Sequence, residues 1–281
     1  LYSENDIERL LLLHRATAQG HSIGRIALLS DDELKTLVSE HSSPPILTQT
    51  NSIPHPLTQP DTTAESSVKR CLDAIASMDS NTLTRELMDA EVAMGRNRLL
   101  TSVIDPIMNR VGDMWNEGTL RVADEHLATS VIRTFLGTLQ FNNRAPQGAP
   151  MLVATTPAGQ WHEIGALLAS LTAQSAGWNT LYMGPNLPAE EIAGAAIAHS
   201  ASAVALSIIY PGDDSLLSTE LFKIQRALPA IPLLIGGRAA AHYKSTIEEI
   251  GAQYVGHLAL MPEMLSNITS SNFFSRQNID K

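Results

Sequence analysis

A chain of 281 residues, 44% hydrophobic and 17% charged, carries enough apolar material for two or three packed cores and lacks the composition of a disordered protein. A single cysteine, Cys71, excludes an internal disulfide framework and a multi-cysteine metal site, and with no apolar run near the ~20 residues that span a bilayer the chain reads as soluble and cytoplasmic. The formal charge of -10 would repel nucleic acid if spread evenly, so any DNA contact calls for a local basic patch or for residues outside this sequence.

Residues 1–40 carry helical signals. Ser3 with Asp6 resembles a helix start, Ile7, Leu10, Leu11 and Leu13 follow at helical spacing, and Gly20 is a stop. Ile23, Ile26 and Leu29 suggest a second short helix, and Ser30-Asp31-Asp32-Glu33 opens a third. The opening Leu1-Tyr2-Ser3-Glu4 reads as the middle of an element, so part of the natural protein is expected upstream. Over residues 41–65, Pro44, Pro45, Pro54, Pro56 and Pro60 stand among Ser, Thr and Gln with little charge. No packed face can form there, which predicts a linker.

From residue 66 to 145 apolar residues recur three and four apart: Leu72, Ile75 and Met78; Leu83, Leu87 and Val92; Leu99, Val103, Ile107 and Val111; Leu127, Val131, Phe135 and Leu139. Breaks near Ser80, Gly95 and Gly118 divide the region into four helices, which predicts a bundle. From 150 to 270 the pattern changes. Short apolar runs at Met151-Leu152-Val153-Ala154, Thr180-Leu181-Tyr182-Met183, Val204-Ala205-Leu206 and Pro232-Leu233-Leu234-Ile235 alternate with helical segments at 163–175, 189–199, 216–227 and 239–250. That alternation predicts a doubly wound parallel sheet, with ligands at the carboxyl ends of its strands.

His162 falls in the loop after the first of these strands, in Gln160-Trp161-His162-Glu163-Ile164-Gly165. Alone, a loop histidine is more often an exposed polar residue than a metal ligand. Gly165 at the next helix start, Ser207 at the end of the third strand and Gly236-Gly237 at the end of the fourth line the same rim with small residues, leaving a slot where a long ligand could pass close to backbone. In the helical region Trp115 is followed nine residues later by Glu125-His126 across the last helix break, so both should meet at one end of the bundle. An aromatic bundle cap with a solvated Glu-His pair is the plain alternative for these residues.

The rim residues resemble the motif of the cobalamin-binding domain of methionine synthase and related corrinoid proteins: Asp-x-His-x-x-Gly, Ser-x-Leu and Gly-Gly. Here 41 residues separate Gly165 from Ser207 and 26 separate Ile209 from Gly236. The resemblance implies His162 as lower axial ligand of cobalt, and Gly165, Ser207, Ile209, Gly236 and Gly237 as the lining for the cofactor's displaced nucleotide tail. Gln160 stands where that motif has Asp, so an amide replaces the carboxylate beside the imidazole; Ile209 stands where it has Leu, which keeps an apolar contact.

The Trp-x9-Glu-His pattern resembles the light-sensing repressors of the CarH family, which implies that Trp115, Val122, Glu125 and His126 cover the upper face of adenosylcobalamin. Residues Tyr2 to Ile23 resemble the latter half of a MerR-type DNA-binding domain, whose first helix-turn-helix would lie upstream. The resemblance implies an α plus α/β architecture: a partial MerR-like segment over 1–40, the proline-rich linker, a four-helix bundle, and a flavodoxin-like, Rossmann-like cobalamin-binding domain. It also implies a non-enzymatic transcriptional repressor, promoter DNA as partner and a homo-oligomer, dimer or tetramer. Asn116 follows Trp115 where light-sensing members have a second cobalt-binding histidine, and an amide is a poor cobalt ligand. A trapped bis-histidine state then needs His126 to move in, so light sensing is a separate expectation from cofactor binding. The alternative function for the same motif is a corrinoid carrier in a methyltransferase or mutase system.

Overall fold

The computed structural model describes residues 8, 9, 12, 13, 30–40, 64–140, 145–209 and 214–277. Most of the expected MerR-like segment and of the linker lies outside the described residues. The chain divides into two compact units, Leu1–Thr58 and Gln59–Lys281.

In the first unit, helix α1 (Asp31–Glu40) starts where the sequence predicts. Ser30 and Glu33 form a reciprocal capping box: the Glu33 carboxylate accepts from the Ser30 N–H at 2.7 Å, and the Glu33 N–H donates to the Ser30 hydroxyl at 3.4 Å. Leu12 and Leu34 are buried, and Lys35 pairs with Glu8 at 3.1 Å.

The second unit opens with the bundle. Helix α2 (Ala64–Ala76) begins two residues inside the expected linker, and α3 (Ser80–Met94) is capped by Asp79, whose carboxylate accepts from the Thr82 N–H at 2.9 Å. The third helix of the pattern is continuous but not uniform. It runs as α4 (Arg96–Leu99), a π-helical stretch (Leu100–Ile104) and α5 (Asp105–Asn116). The cause is Pro106, which has no N–H to donate and crowds the carbonyl four residues back, so the preceding turn widens to bonds spanning five residues. Gly118, with φ +70°, turns the chain into α6 (Val122–Gln140). Leu83, Leu87, Leu99, Val103, Ile107, Ile132 and Leu136 are among the side chains that fill the bundle core.

Five parallel strands follow: β1 (Met151–Thr155), β2 (Asn179–Tyr182), β3 (Ala203–Ser207), β4 (Leu233–Gly236) and β5 (Gln253–Val255). Their order is β2-β1-β3-β4-β5, so the switch point lies between β1 and β3. Helices α7 (Ile164–Ser175), α8 (Ala189–Ala198), α9 (Ser215–Ala227), α10 (Lys244–Glu249) and α11 (Met261–Gln277) complete the α/β part. Helix α7 is apolar nearly all round because it has no solvent face. Ala173 packs with the sheet residues Leu152 and Ala154, while Ile164, Leu167, Leu168 and Leu171 join the bundle core. At about 2 kcal/mol for each fully buried aliphatic side chain, these four fix the bundle onto the sheet domain.

Candidate functional site

The loop from β1 to α7 is held from three sides. Pro157 to Gln160 form a β-turn closed by a 3.0 Å bond from the Gln160 N–H to the Pro157 carbonyl, with Gly159 at φ +86° where such a turn demands a left-handed residue. Asn186 clamps it further: its side-chain oxygen accepts from the Gly159 N–H at 2.8 Å, and its own N–H donates to the Thr156 hydroxyl at 2.8 Å. Gln160 is 1% exposed, and its side-chain oxygen accepts from the Ile209 N–H at 2.9 Å, which fastens the loop to the chain just beyond β3. His162 is exposed, one residue beyond the exposed ring of Trp161 and two beyond this anchor.

Ser207, Gly236 and Val255 lie side by side in the sheet register at the carboxyl ends of β3, β4 and β5. A Cβ on Gly165 would stand 2.3 Å from the Ser207 hydroxyl oxygen and 3.9 Å from the Ile209 side chain; one on Gly236 would stand 3.2 Å from the Val255 side chain and carbonyl. Gly237 is in the left-handed region at φ +98°, and a Cβ there would meet the Ile208 carbonyl at 2.4 Å. Ser207 is 4% exposed and its hydroxyl has no hydrogen-bond partner among the described residues. An orphaned hydroxyl in a cradle lined by glycines fits a ligand that brings its own polar atoms between α7 and the strand ends.

Trp115, in the last turn of α5, is 50% exposed; Val122, Glu125 and His126 occupy the first turns of α6. Glu125 accepts or shares a hydrogen bond with the His126 imidazole at 2.7 Å. Asp124 is buried, and holds the helix start by accepting from the Arg121 backbone at 3.2 Å and guanidinium at 2.7 Å. The Arg121 side chain keeps the Asp124 carboxyl below the ordinary carboxylate range. Arg133 lies seven residues beyond His126, on the same face of α6.

Arg133 and Asp113 show which way this end of the bundle looks. The Arg133 guanidinium and the Tyr182 hydroxyl both donate to the carboxylate of Glu163, the residue after His162. Burial first, and the Glu163 carboxylate second, push the Tyr182 phenol above its ordinary range, so it remains a donor at all physiological pH. Arg238, directly after Gly237, pairs with Asp113 of α5. The Asp113 contact places the Trp115 end of α5 beside the carboxyl edge of the sheet, and the Arg133 contact joins the middle of α6 to the loop after β1. None of Arg133, Tyr182, Asp113 and Arg238 stands out in the sequence, because their partners are distant along the chain. The one usable signal was Gly112, an isolated glycine inside a helical pattern, which marks close approach. A groove of about 460 Å³ runs along α5, lined by residues including Asp105, Asn109, Asp113 and His257.

Residues 68–140 and 150–258 each match a family described as the B12 binding domain. The chain is 27% identical over 252 residues to the HTH-type transcriptional repressor CarH of Myxococcus xanthus, covering 89% of this chain and 80% of that one. It is 27% identical over 199 residues to the repressor CarA of the same organism, covering 71% and 67%. Among solved structures, the Methanosarcina barkeri monomethylamine corrinoid protein superposes with a TM-score of 0.58 at 16% identity, covering 73% of this chain and all of that one. Bundle, switch-point sheet and glycine-lined cradle define a cobalamin-binding protein, built as the corrinoid proteins are. Within that class the chain is similar to the CarH and CarA repressors, at 27% identity.

Proposed function

We propose that this protein is a cobalamin-dependent transcriptional repressor, with adenosylcobalamin as its sensory ligand and promoter DNA as its partner, and that it works as a regulator rather than an enzyme. What supports the reading is that the ion pairs Arg133–Glu163 and Arg238–Asp113 join the helices carrying Trp115, Val122, Glu125 and His126 to the edge of the sheet that carries His162, Gly165, Ser207, Ile209, Gly236 and Gly237. The domain limits follow the same division, with a MerR-like segment at 1–40, a linker to about 63, the bundle to about 145 and the cobalamin-binding domain from 150 onward.

His162, on its clamped loop, would be the protein's ligand to cobalt. Gln160, already engaged with Ile209, would hold the loop's backbone and leave imidazole orientation to other groups. Gly165, Ser207, Gly236 and Gly237 would take the nucleotide tail, with the Ser207 hydroxyl gaining the partner it lacks among the described residues. Cobalamin supplies a cobalt-carbon bond that breaks under light, and the protein's part is to bind one state better than the other. Trp115, Val122, Glu125 and His126 would cover the upper substituent, so that its loss shifts the bundle and with it an interface between copies of the chain.

The test is the absorption spectrum of the purified protein with adenosylcobalamin, before and after green light, together with promoter gel shifts and size-exclusion chromatography in both states. A corrinoid spectrum and promoter binding that responds to the ligand support the reading; promoter binding indifferent to corrinoid defeats the regulatory part. With Asn116 after Trp115, the illuminated state lacks a second imidazole at that position, so the response should reverse when fresh adenosylcobalamin is added, whereas Asn116→His should make it persist. The fold shared with a corrinoid protein favours a second reading, a corrinoid carrier. Methyl transfer to or from the bound cofactor by a partner methyltransferase, without promoter binding, would select it.

A further inference from the structure

Among the described residues, two ion pairs join the bundle to the α/β part: Arg133 with Glu163, and Arg238 with Asp113. The second is shaped by two glycines. Gly237 has no room for a Cβ against the Ile208 carbonyl, and that same carbonyl accepts from the Ala239 N–H at 3.0 Å, so the turn after β4 is fixed to the chain after β3. The turn sends the Arg238 side chain across α5 at Gly112, where a Cβ would stand 2.6 Å from the guanidinium. Glycine inside a helix is disfavoured against alanine, and here its absent side chain is the space the guanidinium occupies. Beyond Gly112 the guanidinium pairs with Asp113 and donates to the Asn109 carbonyl at 3.5 Å.

Resting on the cobalamin reading above, we infer that Arg238 is a positioning residue that couples the tail slot at Gly236 and Gly237 to the cap at Trp115. Gly236 leaves open the space where a Cβ would meet Val255 at 3.2 Å, so a ligand that fills the slot packs against the end of β4 and holds it in place. Gly237 is joined to Ile208 there by backbone hydrogen bonds on either side, so the constraint reaches Arg238, the next residue. Asp113 receives it and lies in the same helical turn as Trp115. A corrinoid with a nucleotide tail therefore orders the last turn of α5 more than one without.

Hydrogen exchange of residues 105–116 in the full chain, read by mass spectrometry with hydroxocobalamin, with cobinamide (which lacks the tail) and with neither, tests this. In the parent protein, cobalamin should slow exchange there up to about fivefold more than cobinamide does, the range open to one partly exposed ion pair. In Arg238→Ala and Asp113→Asn the two ligands should give the same exchange over 105–116, while 233–237 stays better protected by cobalamin. Exchanging the charges, Arg238→Asp with Asp113→Arg, should restore part of the difference. A difference that survives in both single variants, or exchange that rises equally in all three ligand conditions, overturns the coupling. If the parent binds both corrinoids with no difference over 105–116, the coupling alone fails; if it binds neither, the cobalamin reading fails and the coupling falls with it.

Discussion

The side-chain oxygen of Gln160 accepts a 2.9 Å hydrogen bond from the backbone N–H of Ile209, joining the loop that carries His162 to the chain just past β3. In Gln160→Ala the Ile209 N–H loses its acceptor. The expected cost is about 1–3 kcal/mol of stability, measured by urea unfolding, with weaker corrinoid binding as a consequence of the freed loop. Gln160→Glu keeps the acceptor and should lose less. Equal stability of the parent and the alanine variant would remove the joint from the account.

His162→Ala should weaken cobalamin binding and abolish the nitrogen coupling from a protein imidazole in the electron paramagnetic resonance spectrum of the reduced cofactor. Free imidazole in the buffer should restore a coupled spectrum, since the loop itself is held by Gln160, Thr156 and Asn186. Coupling that persists in the variant would assign the axial position to another group.

Gly165→Ala and Ser207→Ala separate space from chemistry. The methyl of Gly165→Ala would arrive 2.3 Å from the Ser207 oxygen and close the cradle, so complete cobalamin should lose at least about tenfold more affinity than cobinamide, a difference of about 1.4 kcal/mol. Ser207→Ala removes a buried hydroxyl that has no partner among the described residues and should leave the unliganded protein as stable or slightly more so. Equal losses for both corrinoids in Gly165→Ala would point to a general folding defect.

Leu171, fully buried, belongs to the group on α7 that packs into the bundle core. Leu171→Ala should cost about 2–5 kcal/mol, with unfolding that no longer proceeds as one transition if the bundle parts from the sheet first. Differential scanning calorimetry reads both effects.

Asp105 is pushed above the ordinary carboxylate range by burial, against the smaller opposing influence of His257 and of the 3.3 Å hydrogen bond from Asn109. A raised folded pKa means that the folded state holds the proton more tightly. Its contribution is therefore fully present below the unfolded value of about 3.9 and is lost as pH rises through the higher folded value. Asp105→Asn should raise the Tm at pH 7 relative to the parent and narrow the gap between them as pH falls toward 4. A variant less stable than the parent at pH 7 would show that the charge is compensated.

The sequence by itself determined the order and kind of the elements and the spacing of the rim residues, because both are local. Apolar residues three and four apart divide the bundle at Gly95 and Gly118, short apolar runs mark β1 to β4, and the intervals from Gly165 to Ser207 and from Ile209 to Gly236 fix which strand ends can meet. Where local patterning was thin, it failed: β5 is three residues long and is defined by its pairing with β4, and the π-helical turn before Pro106 left no trace in the apolar spacing. Tertiary structure alone decided which polar groups meet. Glu163 finds Arg133 30 residues away and Asp113 finds Arg238 125 residues away, while Gln160 turns from its expected place beside the imidazole to the backbone of Ile209. Such pairings depend on the packing of α7 between bundle and sheet, which sets distances that no periodicity along the chain encodes.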